Sequence, residues 1–339
     1  MKRSAILFIL LMINMLAFSG CAADSTNPAA DPDITNSAVN ENTEEDEEMI
    51  QTAKTFPDNI YNDIPSGYKD DITEHGTIET FKYTAKTDAG EEYEKTAKVY
   101  LPFGYDPENK DMEYNVLYLM HGGGDNESRY WGAEELEKVL DAMFEKGDCE
   151  PCIVVTPNYR IPGCDETASA KGFYKELIGY LIPALENEYN TYAQDTTPDG
   201  IKASRLHRAY AGFSMGACST WAVFANCLDE IAYYIPISGD CWEVGGSGKD
   251  KAEYLAGRVS EMGYTADDFY IYAGCGHTGD MAYPNMVPQL EAMKELTDAF
   301  IYCDNFADGN FYYYQFISSG HSIDTAIRTV YNALPKFFG

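Results

Sequence analysis

The sequence predicts an α/β protein: a mostly parallel sheet with helices on both faces. Two observations predict it. Short apolar runs rich in β-branched and aromatic residues recur at 116–120, 152–157, 209–213, 231–237, 269–273 and 311–317, each the length of a strand buried on both faces. Between them lie segments of helical period. The clearest, 171–189, carries Phe173, Leu177, Leu181 and Leu185 at four-residue spacing, with Pro183 expected to kink it.

Upstream of these runs, β-rich stretches around 80–84 and 93–101 flank Asp88-Ala89-Gly90. This pattern predicts an antiparallel hairpin or a longer β connection added to the sheet. In sheets of this class the chemistry lies in the loops at the carboxyl ends of the strands.

The 339 residues, 45% of them hydrophobic, suit one large α/β domain with flanking segments. A formal net charge of -31 opposes phosphate backbones and anionic lipid, which argues against nucleic acid as a partner. The N-terminus has the form of a targeting segment. Lys2 and Arg3 precede an almost wholly apolar run over 5–18, which ends in Ser19-Gly20-Cys21. That run is shorter than the roughly 20 residues a membrane span needs, so residues 1–20 are expected to be a signal peptide. The Ser-Gly-Cys ending resembles a bacterial lipobox, with Phe18 where leucine is commoner. The resemblance implies lipidation of Cys21 and an anchor on the outer face of a bacterial membrane. Nine carboxylates and no Lys, Arg or aromatic residue lie between Asp24 and Glu48. Residues 21–60 are therefore expected to form a disordered acidic linker, with the folded domain over 61–339.

Beyond Cys21 there are eight cysteines, with one C-x-x-C at Cys149 and Cys152 and neither a second such pair nor an H-E-x-x-H. No metal centre is expected. Export permits disulfides, but spacing does not reveal their pairing.

The informative residues follow the strands. After the run 209–213 comes Gly212-Phe213-Ser214-Met215-Gly216 and then a helix-like segment over 217–228. In this strand–turn–helix setting, G-x-S-x-G exposes a serine hydroxyl on a tight turn at a helix N-terminus, the arrangement a nucleophile needs. After the run 116–120 comes His121-Gly122-Gly123-Gly124-Asp125. Its backbone amides, near Gly123, can face an oxyanion together with the amide of Met215. No Gly-Lys-Ser/Thr follows, which removes the P-loop reading, and His121 reads as structural. Of five histidines, His75 and His207 precede the serine and fit no motif. His321, in Ser318-Ser319-Gly320-His321, follows the last strand and satisfies the order Ser, acid, His; His277 is the second choice. Asp280 is preferred as the acid, because it follows the strand before the one that supplies His321, and Asp240 competes with it. Trp131 and Trp242 stand where they could line an acyl or sugar site, or could simply pack the core.

Leu117 to Gly124, Gly212 to Gly216, Ser238-Gly239-Asp240-Cys241-Trp242, Ala282-Tyr283-Pro284-Asn285, and Gly320-His321 with Tyr331-Asn332-Ala333-Leu334-Pro335 together resemble an esterase group of α/β hydrolases. This group is carbohydrate esterase family 1, the feruloyl and acetylxylan esterases, including esterase domains attached to bacterial xylanases. The resemblance covers about residues 76–339. It implies the α/β-hydrolase fold, a triad of Ser214, Asp280 and His321, and no cofactor. It also implies a substrate of polysaccharide-linked acyl esters, feruloyl ahead of acetyl. Where the family has Gly-Thr-x-Asp, this chain reads Gly276-His277-Thr278-Gly279-Asp280. Alternative readings are transfer of acyl groups to sugars, hydrolysis of small thioesters or siderophore esters, and a non-catalytic surface protein that binds carbohydrate through its tyrosines.

Overall fold

The two β-rich stretches near the start of the domain form a hairpin, β1 (Thr77–Lys86) and β2 (Glu92–Leu101), in a computed structural model that describes residues 56–339 apart from Asp71 and Thr278. The expected signal peptide, Cys21 and most of the acidic linker lie outside the described residues. The hairpin turns where Thr87 and Glu91 pair (2.9 Å) and Gly90 takes a φ of 82°, a conformation that glycine adopts without a Cβ clash. The remaining strands are β3 (Asn115–Met120), β4 (Cys152–Thr156), β5 (Arg208–Phe213), β6 (Tyr233–Ile237), β7 (Tyr270–Gly276) and β8 (Phe311–Phe316). Their order in the sheet is β1-β2-β4-β3-β5-β6-β7-β8. Pairing from β4 to β8 is parallel, and the hairpin joins antiparallel through β2 and β4.

Alternation along each strand divides the core in two. Val116, Tyr118 and Met120 of β3 and Tyr210 of β5 face one side. There they meet α2 (Glu166–Glu176), α5 (Met215–Asn226), α6 (Gly248–Glu261) and α7 (Tyr283–Met293). Leu117, Leu119, Ala209 and Ala211 face the other side, against α1 (Leu136–Lys146) and α8 (Ile323–Phe337). Period-two strands that are apolar on both faces require two covered faces, and that requirement is the physical content of the sequence pattern.

The expected helix over 171–189 is interrupted. α2 begins earlier, with Asp165 capping the amide of Ala168 at 2.8 Å. A π-turn spans Leu177–Leu181, and α3 (Ile182–Glu188) carries Pro183 in its first turn. Proline has no N–H to donate and its ring crowds the carbonyl four residues back, so the wider turn absorbs the mismatch. Phe173, Leu177, Leu181 and Leu185 all stay buried across it.

Residues 56–60, assigned to the linker from sequence, belong to the domain. Phe56 packs on Tyr270 (5.2 Å between ring centroids), while Asn59 is fully buried and donates to the Cys303 carbonyl at 3.2 Å. Phe56-Pro57-Asp58-Asn59-Ile60 is too short to show a helical or strand period, so its packing could not be read from the sequence.

Arg208, the first residue of β5, is buried and makes two 2.6 Å bonds to the Glu186 carboxylate. Tyr118 donates to the same carboxylate at 3.0 Å. This network pins the lower end of the strand whose upper end carries Ser214. The cysteines from Cys149 to Cys303 are unpaired. Among the described residues no group of three or more His, Cys, Asp or Glu side chains could hold a metal ion, and no helix is long and apolar enough to cross a membrane.

Candidate active site

Ser214 joins β5 directly to α5 (Met215–Asn226) with φ 58° and ψ -117°, a backbone conformation that a non-glycine residue adopts only under constraint. The two glycines of G-x-S-x-G explain how the turn closes. A Cβ at Gly212 would lie 2.1 Å from the Gly216 carbonyl oxygen, and one at Gly216 would lie 2.5 Å from the Met120 carbonyl oxygen. No larger residue fits at either position.

His321 lies on the exit from β8, just before Ser322 caps α8. Its Nε2 is 2.8 Å from Ser214 Oγ and its Nδ1 is 2.7 Å from Asp280 Oδ1. An ionised carboxylate only accepts, so Nδ1 carries the proton and Nε2 is free to accept the serine hydroxyl. The Phe213 ring packs beside the imidazole at 4.6 Å. Asp280 is buried. Besides His321, it accepts from the amides of Ala282 (2.8 Å) and Gly276 (3.0 Å) and from the Ser238 hydroxyl (2.5 Å). Burial pushes its carboxyl up, but the bonds from His321, Ser238 and the Ala282 amide outweigh it and hold the carboxyl below the usual range.

The other candidates are occupied elsewhere. Asp240 pairs with Lys251 and accepts from the Trp242 indole at 3.3 Å. His277 packs edge-on to Tyr283, His75 meets Asp141 at 3.3 Å, and His207 stacks on Tyr192. His121 is fully buried, bonded to the Gly122 carbonyl at 2.8 Å and set against Tyr159, and burial lowers its pKa.

The glycine loop borders the serine. A Cβ at Gly122 would lie 3.3 Å from Ser214 Cβ, and one at Gly123 would lie 3.6 Å from Met215 Cε. Met215 opens α5, where an amide has no intrahelical acceptor. The Gly124 amide is already bonded to Glu166 at 2.9 Å.

No family model matches the chain. The fold is similar to that of a serine-to-alanine variant of the feruloyl esterase module from Clostridium thermocellum complexed with sinapinate. The TM-score is 0.74, with 39% identity over 84% of this chain and 96% of that one. The chain belongs to the α/β-hydrolase esterases of carbohydrate esterase family 1. It is a serine carboxylic-ester hydrolase. The esterase is also 41% identical over 279 residues to endo-1,4-beta-xylanase Y of Acetivibrio thermocellus, covering 82% of this chain and 24% of that protein. A third relative, endo-1,4-beta-xylanase/feruloyl esterase of Xylanibacter ruminicola, is 28% identical over 216 residues, covering 62% of this chain and 26% of that protein. The chain thus spans about a quarter of the length of these curated relatives.

The two tryptophans of the esterase differ in setting. Trp242 is 36% exposed, on the loop after β6 that also carries Asp240. Trp131 stacks on Tyr100 of β2 (6.1 Å, 11°) and donates to Thr156 Oγ1 at 2.9 Å, packed against the core on the α1 side. Sequence reasoning missed Ser238, although Ser-Gly-Asp was noted there for its aspartate. The signal that could have found it is a small polar residue ending the strand beside the nucleophile strand.

Proposed function

We propose that this esterase hydrolyses feruloyl esters carried on plant cell-wall xylan, with Ser214 as nucleophile, His321 as base and Asp280 as the acid that orients it. The observation that carries the reading is the single imidazole bonded at once to Ser214 and Asp280. His321 takes the serine proton as Oγ attacks the ester carbonyl, and Asp280 stabilises the imidazolium. The Met215 and Gly123 amides receive the oxyanion charge. The imidazolium then protonates the departing sugar oxygen, and water, activated by the same histidine, releases the acid. The substrate assignment draws on the sinapinate-bound module and the xylanase relatives. Trp242 supplies an exposed aromatic wall for a hydroxycinnamoyl ring.

The location proposal rests on sequence: export, with a lipid on Cys21 holding the domain at the outer face of a bacterial membrane through the acidic linker. Fatty-acid labelling that survives Cys21→Ser would overturn the anchor. Two measurements test the reaction. A fluorophosphonate probe should label the wild type and not Ser214→Ala. Catalytic efficiency should rank methyl ferulate and feruloylated xylan fragments above acetylated xylan and short p-nitrophenyl esters. Preference for the short esters, with no ferulate released from xylan, would sink the substrate assignment and leave the esterase standing.

A further inference from the structure

An oxyanion hole works only if its amides are aimed before the charge appears. Here one of them belongs to a run of three glycines, the residues least able to hold a conformation on their own. Something outside the run must hold it, and three side chains from the β4–α2 connection and the start of α2 do so. Glu166, in the first turn of α2, accepts the Gly124 amide on Oε1 at 2.9 Å. The same oxygen takes Arg160 Nη2 at 3.0 Å and the Tyr159 hydroxyl at 2.8 Å. Arg160 Nη1 reaches past it to the Asp125 carbonyl at 2.6 Å. The Tyr159 hydroxyl also lies 3.2 Å from the Gly122 carbonyl, so its proton is shared between that oxygen and Glu166. Gly122, Gly124 and Asp125 are each tied, and the residue between the ties is Gly123.

We propose that Glu166 is a positioning residue of the oxyanion hole, holding the 122–125 loop together with Tyr159 and Arg160 so that the Gly123 amide faces the developing charge. The proposal rests on the reading of Ser214 as nucleophile. The Gly124 amide, then Tyr159, holds the Glu166 carboxyl below the usual range, so the ties are made to the anion at neutral pH. The carboxylate side chain is 37% exposed. An exposed ion pair of this kind adds little to global stability, so its removal separates loop aim from folding.

The test uses the purified esterase with methyl ferulate as substrate and phenylboronic acid as a transition-state analogue, whose boron accepts Ser214 Oγ and places an oxygen in the oxyanion position. Glu166→Ala should lower kcat by about 10- to 100-fold with KM changed less than about threefold. The boronate inhibition constant should rise by the factor that kcat/KM falls, while the melting temperature stays close to wild type. Glu166→Gln, which keeps an acceptor oxygen, should recover most of kcat, and Tyr159→Phe should show a smaller loss of the same kind. A Glu166→Ala enzyme with kcat within about twofold of wild type would overturn the proposal. So would a loss confined to KM and melting temperature with boronate binding unchanged. Retained activity in Ser214→Ala is a separate result: it removes the nucleophile reading, whereas an inactive Ser214→Ala beside an unaffected Glu166→Ala removes the positioning role alone.

Discussion

Ser238 gives its hydroxyl to the carboxylate oxygen of Asp280 that His321 does not use, at 2.5 Å, in a site where both residues are buried. The two oxygens of Asp280 are thus divided. One orients the imidazole and the other is seated by Ser238 and the Gly276 amide. Ser238 itself takes φ 52° just past the end of β6, as the strained Ser214 follows the end of the paired β5. The Asp280 carboxylate is held in place from the end of the neighbouring strand as well as by its own loop.

Replacing Ser238 by alanine should lower kcat by about tenfold with little change in KM, because the carboxylate keeps its charge and loses part of its aim. It should also cost about 1–3 kcal/mol of stability, since the bond is to a charged group. Steady-state kinetics and urea unfolding check the two effects separately.

Asp280→Asn should reduce kcat by roughly three to four orders of magnitude, because an amide in that place favours the wrong imidazole tautomer. Asp240→Asn should act weakly on the chemistry, since its carboxylate is taken up by Lys251. If the two variants exchange ranks, Asp240 is the acid.

The lowered pKa of Asp280 gives a stability effect of known sign. The unfolded chain binds this proton at about pH 3.9, whereas the folded protein binds it only at lower pH. The ionised, bonded carboxylate therefore contributes fully above the unfolded value, and the contribution disappears as pH falls through the folded one. Denaturation of wild type and Asp280→Asn from pH 7 down to pH 3 should show their difference shrinking with acid. A difference that grows with acid contradicts the assignment.

Glu186→Ala should destabilise the fold by about 3–5 kcal/mol, because it strands the buried Arg208 guanidinium without its partner. Enzyme that remains folded at low temperature should keep a near-normal KM, since the pair lies at the opposite end of β5 from Ser214. Calorimetry and active-site titration report the two quantities.

Trp242→Ala should raise KM for methyl ferulate several-fold while scarcely altering p-nitrophenyl acetate. A stacked ring is worth on the order of 1 kcal/mol beyond its buried area, and acetate offers nothing to stack. Equal effects on both substrates would remove the aromatic-wall role.

What could be read from the sequence was what is local. The strands covered on both faces, the Asp88-Ala89-Gly90 hairpin and the G-x-S-x-G turn are each written in a few consecutive residues, and each is present. The preferred candidates for acid and base, Asp280 and His321, follow from chain order, and His321 bonds both Asp280 and Ser214. What stayed hidden depends on contacts between distant segments. The order β2-β4-β3 is set by which edges meet, not by any one strand's composition. Asn59 reaches Cys303 across most of the chain, and Glu166 reaches Gly124 across 42 residues. In the 171–189 segment the apolar spacing was right, but an extra residue in the Leu177–Leu181 turn changes the path without changing which side chains are buried.

The backbone of Ser214 has a consequence for how this protein would respond to selection. A residue held at φ 58°, ψ -117° stores about 1–3 kcal/mol, and glycine at the same place would release most of it at a smaller entropic cost. An inert Ser214→Gly enzyme should therefore outlast the active one on heating. A breeding programme that scores only survival at high temperature would favour dead catalysts, and each round must also score turnover to keep the serine.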